Sequence, residues 1–133
     1  MSPTTETHPI RSGEDVVRVR QAVRERAVRL GFSLIEQTKI VTAASELARN
    51  TLEHGGGGSV EIRDANLGVR RGLELTFRDT GPGIPDISKA LRDGFTTGGG
   101  LGLGLGGAKR LMSDLEIQSE VGKGTVIRAV RWK

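Results

Sequence analysis

Gly98–Met112 reads GGGLGLGLGGAKRLM, a tract in which glycine fills most of the first ten positions and a helix-like tail follows. Without a Cβ in the way, backbone N–H groups can wrap an anion, and the start of a helix adds partial positive charge, so the tract suits a phosphate. The same glycines also suit a plain loop. Known phosphate loops narrow the choice. No lysine stands where G-x-x-x-x-G-K-[ST] needs one, which removes a Walker loop. Gly102, Gly104 and Gly107 match G-x-G-x-x-G, with Glu120 near the spacing of a ribose-binding acid. Yet GFTTGGG in front of them is no buried strand, so a dinucleotide fold fails. No H-R-D or D-F-G follows, so a protein-kinase glycine loop fails as well. What is left is a loop whose glycines end at the start of a helix over about 103–113, placed to close over phosphates.

Working outward, MSPTTETHPI reads as a polar end leading into a short edge strand. Ser12, Glu14 and Asp15 open a helix with Val16, Val19, Val23, Ala27 and Leu30 on one stripe and Gly31 at its stop. A second helix spans about 33–53 and carries Ile40, Val41, Ala44, Leu47, Ala48 and Leu52 in one arc. The run Gly55–Gly58 ends it as a turn or hinge. Then the period becomes two. Val60 and Ile62, then Leu73, Leu75 and Phe77, alternate with polar residues around a turn expected over 66–72, which predicts a hairpin. After DTGPGIP come a short helix near 86–92, the glycine tract with its helix, and two strands over 115–121 and 125–132 joined by GKG. This order predicts an α+β sandwich with helices on one face of a largely antiparallel sheet.

Two constellations carry chemistry. Asp79 continues the inward face of Leu73, Leu75 and Phe77, where a carboxylate needs a partner. The amino group of a flat apolar ligand such as adenine would supply one; an Asx bond to its own turn is the alternative. Glu46 and Asn50 lie one turn apart on a helix face away from the apolar arc. An amide oxygen together with phosphate oxygens suits Mg²⁺, and a carboxylate beside it can accept a hydroxyl proton. The alternative is a solvated face shared with Lys39 and Glu53.

Bulk properties bound the rest. The chain has 133 residues, expected to form one domain over 1–133 with a single core. It lacks cysteine, which excludes a disulfide scaffold and a thiolate metal site, and it carries no apolar run of membrane-span length. A cytoplasmic protein with no membrane partner is expected. The net charge of +4 with only 3% aromatic residues offers scattered arginines and little for bases to stack on, which argues against nucleic acid.

Taken in order, ELARN (46–50), DTGPGIP (79–85), GGGLGLGL (98–105) and GKGT (122–125) resemble the ATPase boxes of the GHKL superfamily of gyrase, Hsp90, histidine kinases and MutL. Each box is weak and the ordered set is specific. Within that superfamily the chain is similar, from its first helix to Trp132, to the small bacterial serine/threonine kinases of sigma-factor partner-switching pathways, above all the stressosome switch kinases. The resemblance implies an ATP-binding Bergerat fold with Mg²⁺. Asp79 would hold the adenine amino group with help from Thr125, and Gly81, Gly83 and Ile84 would line the base. Asn50 would bind the metal ion and Glu46 would act as the base. Gly98, Gly99, Gly100, Leu101, Gly102, Leu103 and Gly104 would form the lid and phosphate cradle. The implied substrate is a Ser or Thr of a STAS-domain protein, with exchange to a PP2C-type phosphatase regulatory domain, and no phospho-acceptor histidine. His54, one turn past Asn50, is expected to complement the helix dipole. The alternatives within and outside the class are an anti-sigma factor that binds a sigma factor, and an ATP-dependent binding module without phosphotransfer.

Overall fold

The computed structural model describes residues 5–91 and 104–133. In chain order these form β1 (Glu6–Ile10), α1 (Gly13–Arg29), α2 (Leu34–Glu53), β2 (Gly58–Leu67), β3 (Arg70–Asp79), α3 (Ile87–Ala90), α4 (Gly104–Leu111), β4 (Asp114–Glu120) and β5 (Gly124–Trp132). The strands make one sheet in the order β1-β2-β3-β5-β4, every neighbouring pair antiparallel. Helices α1, α2 and α4, with the single-turn α3, on that sheet give the α+β architecture expected from the sequence.

Local chemistry sets the helix ends. The Ser12 hydroxyl accepts the Asp15 N–H at the start of α1, where Glu14 and Asp15 meet the positive end of the helix dipole. A capping box starts α2: Ser33 Oγ accepts from the Glu36 N–H, and Glu36 reaches back to the Ser33 N–H. The apolar arcs then meet the inward face of the sheet. Val19, Val23, Ile40, Ala44 and Leu47 pack with Val60, Ile62, Leu73, Leu75, Phe77 and Ile127, and α4 adds Leu105 and Ala108. Phe77 is among the largest fully buried side chains, and truncating it to alanine is expected to cost about 3–5 kcal/mol.

Three features depart from the sequence reading. The hairpin turn is tighter than 66–72: Asn66 pairs with Arg71 and Leu67 with Arg70, leaving Gly68 and Val69 as the turn. Polar, exposed positions there continue the ladder because an edge-free backbone pairs whatever its side chains. Glu74, on the outward face of β3, is nevertheless buried, because Arg63 and Arg128 from the flanking strands both close on its carboxylate. Arg26 is not on a solvated face either. It is 5% exposed and joins α1 to β1 and β2 through Glu6 at 2.6 Å and Asp64 at 2.8 Å.

The carboxylates at the helix starts and at this buried arginine make the fold sensitive to acid. Asp15 accepts from the Arg11 side chain and backbone and from Arg18, and the Arg11 bonds hold its pKa below the usual value. Burial pushes Glu6 upward, but hydrogen bonds from Arg26 and His8 outweigh it and leave Glu6 lowered. A pKa depressed by folding contributes stability above the unfolded value, and that stability is lost as pH falls through the folded one. Calorimetric unfolding should therefore show a melting temperature that drops below about pH 4.5, the usual carboxylate range. Asp15→Asn should be less stable than wild type at pH 7, with the difference narrowing as pH falls below the usual carboxylate range; a difference that stays constant as the pH is lowered contradicts the assignment.

Candidate nucleotide-binding site

β3 ends at Asp79, which the alternation of the strand turns inward and leaves 8% exposed. Its Oδ1 accepts the Gly81 N–H at 2.9 Å, the Asx bond weighed from the sequence. Oδ2 has no hydrogen bond among the described residues. The carboxylate is thus half satisfied, so the Asx turn and a ligand amino group are compatible with each other. Thr125 lies directly opposite on β5, 2% exposed, its side chain on the same face.

Two glycines make room for this strand end, one at the carboxylate and one at the backbone. A Cβ on Gly55 would fall on the Asp79 side chain, within 2.5 Å of Oδ2. Gly124, at φ +113, passes so close to Asp79 that a Cβ would strike its carbonyl oxygen. Gly81 in turn rests on Gly55, and Gly83 on the Glu120 carbonyl, so DTGPGIP is wedged between the end of α2 and the end of β4. Ile84 is buried beneath it. Two further bonds pin the loop: the Gly122 N–H donates to the Pro82 carbonyl at 2.9 Å, and His54 Nε2 donates to the Gly83 carbonyl at 3.1 Å. His54 therefore does more than sit at a helix end. It ties α2 to the loop.

The second constellation lies on the same helix. Glu46, Asn50 and His54 recur every four residues on one side of α2. Glu46 is not on a solvated face: its side chain is 9% exposed, and Oε1 accepts the Gly104 N–H at 3.1 Å at the start of α4. Oε2 pairs with Arg49 at 3.1 Å. The carboxylate thus sits where a helix start favours an anion. Asn50 Nδ2 is buried with no hydrogen-bond partner, an orphaned polar atom beside this position. No group of three or more His, Cys, Asp or Glu that could hold a metal ion occurs among the described residues. An ion here would be held by one amide oxygen, phosphate oxygens and water, a donor set that suits Mg²⁺.

Of the residues expected from the sequence, the structure brings Asp79, Gly81, Gly83, Ile84 and Thr125 together around the end of β3, and joins Glu46, one turn from Asn50 on α2, to Gly104. Gly98, Gly99, Gly100, Leu101, Gly102 and Leu103 lie outside the described residues. Glu120, the ribose-acid candidate of the dinucleotide match, has a side chain 70% exposed that pairs with Lys123. The sequence reading missed Gly55, Gly124 and Ser119, whose Oγ holds the Ile84 N–H at 2.7 Å and Thr125 Oγ1 at 2.9 Å. Ser119 was open to detection: it faces Thr125 across the GKG turn.

Comparison with known proteins gives the family and the fold. Residues 35–133 match the family of histidine kinase-, DNA gyrase B-, and HSP90-like ATPases. Serine/threonine-protein kinase RsbT of Bacillus subtilis is 47% identical over 118 residues, 89% of each chain. Anti-sigma F factor of Geobacillus kaustophilus is 34% identical over 113 residues, 81% of this chain and 77% of that one. Among solved structures, the RsbU and RsbW domains of a Mycobacterium tuberculosis protein superpose on the whole chain with a TM-score of 0.66 at 20% identity, covering 33% of that chain. The mycobacterial sensor histidine kinase MprB gives 0.57 at 19% identity over 97% of both chains. At those identities the likeness is one of fold.

Gly55→Ala tests the packing at Asp79. The new methyl must displace the carboxylate, so nucleotide affinity measured by calorimetry should fall by about tenfold or more, the loss of roughly one hydrogen bond to a charged group. Wild-type affinity in the folded variant contradicts the close approach.

Proposed function

The chain belongs to the histidine kinase-, DNA gyrase B- and HSP90-like ATPase family, and from that premise we propose that it is an ATP-dependent serine/threonine-protein kinase of a partner-switching pathway. The observation that carries the reading is the pair on α2: a carboxylate, Glu46, held at the start of α4, and one turn on an amide, Asn50, with a buried orphaned nitrogen. A module that only bound nucleotide would need the second and not the first.

Bound Mg-ATP would supply the phosphoryl group to be transferred and the ion that screens its charge. The chain's own residues do the rest. Asp79 accepts from the adenine amino group, with Thr125 beside it, and Gly81, Gly83 and Ile84 line the base. Asn50 would hold the ion through its amide oxygen. Glu46 would accept the proton of the attacking Ser or Thr hydroxyl, and the glycines from 98 to 104 would cradle the phosphates, as the resemblance implies.

The acceptor we infer is a STAS-domain protein, with a PP2C-type phosphatase regulatory domain as the next partner. A new phosphate of charge near −2 beside Glu46 and the nucleotide would favour release by repulsion. The similarity to the serine/threonine-protein kinase RsbT supports the phosphotransfer step of this reading. The similarity to anti-sigma F factors supplies the second reading, in which a sigma factor is bound. Among the described residues no helix is long and apolar enough to cross a membrane, and a cytoplasmic site of action fits the partners proposed.

Variants at the pair should separate binding from chemistry. Glu46→Gln should leave ATP affinity near wild type and slow transfer by about a hundredfold or more, the scale of a general base. Asn50→Ala should weaken Mg²⁺-dependent binding itself. Transfer at the wild-type rate by Glu46→Gln removes Glu46 from the chemistry.

Size-exclusion chromatography tests the partner. A complex with the cognate STAS-domain protein should form with ADP and dissolve after turnover with Mg-ATP. A complex that survives complete phosphorylation, or a sigma factor as the sole tight partner, replaces this reading with the anti-sigma one.

A further inference from the structure

Asp79, Thr125 and Ser119 form a row across the sheet, one residue from each of β3, β5 and β4 in direct register. Ser119 lies behind Thr125 as seen from Asp79. Its Oγ makes three contacts: 2.7 Å to the Ile84 N–H, 2.9 Å to Thr125 Oγ1 and 3.2 Å to the Gly124 carbonyl. A serine hydroxyl has one proton and two lone pairs. Only one assignment makes all three contacts hydrogen bonds. The Gly124 carbonyl has no proton to give, so the Ser119 proton goes there. The Ile84 N–H occupies one lone pair. The other must be met by the proton of Thr125.

That assignment fixes what Thr125 presents to Asp79. With its proton committed to Ser119, the Thr125 hydroxyl has only lone pairs left for any further partner. The adjoining Asp79 carboxylate has lone pairs alone when ionised. The two together form an acceptor-only edge, 2% and 8% exposed at Thr125 and Asp79. An exocyclic amino group satisfies such an edge. A carbonyl oxygen placed there would face acceptors, and mispaired buried polar groups are what gives a site strong discrimination.

We propose that Ser119 is a specificity-determining positioning residue of the nucleotide pocket: by drawing the Thr125 proton away, it makes the pocket select a 6-amino purine over a 6-oxo purine. The proposal rests on the reading of Asp79 as the adenine site. Ser119 also anchors DTGPGIP through Ile84, an effect that weakens all nucleotides alike when lost. The two effects are separable by comparing nucleotides that share sugar and phosphates and differ only on the base edge at N1 and position 6.

The test is titration calorimetry of ATP and ITP, which share sugar and phosphates, with wild type, Ser119→Ala and Ser119→Thr. Wild type should favour ATP. In Ser119→Ala the Thr125 proton is free to turn into the pocket, so the ATP-to-ITP affinity ratio should fall by about tenfold, the scale of one hydrogen bond to a charged group. Ser119→Thr keeps the hydroxyl and should restore the ratio. If Ser119→Ala loses its fold, Ser119→Cys takes its place, with a thiol of similar size and weak hydrogen bonding. A ratio unchanged in a folded Ser119→Ala or Ser119→Cys overturns the proposal alone. A wild-type protein that binds ATP and ITP alike overturns the adenine reading beneath it.

Discussion

A carboxylate at the inward end of a central strand is the constraint around which the rest is arranged. Asp79 follows Leu73, Leu75 and Phe77 on the core face of β3, so the pleat that buries those side chains buries a charge as well. Burying a charge is unfavourable unless it is hydrogen-bonded. The neighbourhood supplies half of what is needed. Gly81 donates its N–H, while Gly55 and Gly124 give up side chains so that α2 and β5 can close on the strand end. The half left open, Oδ2, lies opposite the buried Thr125, and it sets what a flat ligand there would have to offer.

The same helix that flanks this carboxylate carries the residues proposed for the chemistry. Along α2, Glu46 reaches the start of α4, Asn50 leaves a buried nitrogen unpaired, and His54 donates to the loop that follows β3. The proposed base and phosphate sides therefore both draw on the last two turns of one helix. A change at the capping box or at the α2 core would disturb both together, whereas the edges of the sheet, β1 and β4, stand further from the helix residues that do the work. Ser119 is the exception on β4, since its hydroxyl reaches the loop and Thr125.

Much of this was legible in the sequence because periodicity reports faces. Alternation in 73–79 placed Asp79 inward, and four-residue spacing placed Glu46 and Asn50 together. What escaped the reading depended on contacts between distant segments. Glu74 has an outward position and the burial of a core residue, because two arginines from neighbouring strands cover it. Arg26 belongs to the same class: its position on α1 says nothing of Glu6 and Asp64, which a strand pairing brings beneath it. The GGGG run hid Gly55, since four consecutive glycines read as one turn and only the packed structure shows that the first of them faces a carboxylate. Motif order, by contrast, carried the family without any contact being known, because each box marks a place where the chain must approach a nucleotide.

The most direct measurement of the central claim is calorimetric titration of ATP into Asp79→Asn. Asparagine keeps the size of the side chain and the oxygen that accepts from Gly81, while its amide replaces the carboxylate that should meet the adenine amino group. The account predicts a protein that melts cooperatively near the wild-type temperature and binds ATP about ten to a hundred times more weakly, the equivalent of roughly 1.5–3 kcal/mol for a charged hydrogen bond. A folded Asp79→Asn protein with wild-type affinity for ATP would contradict it.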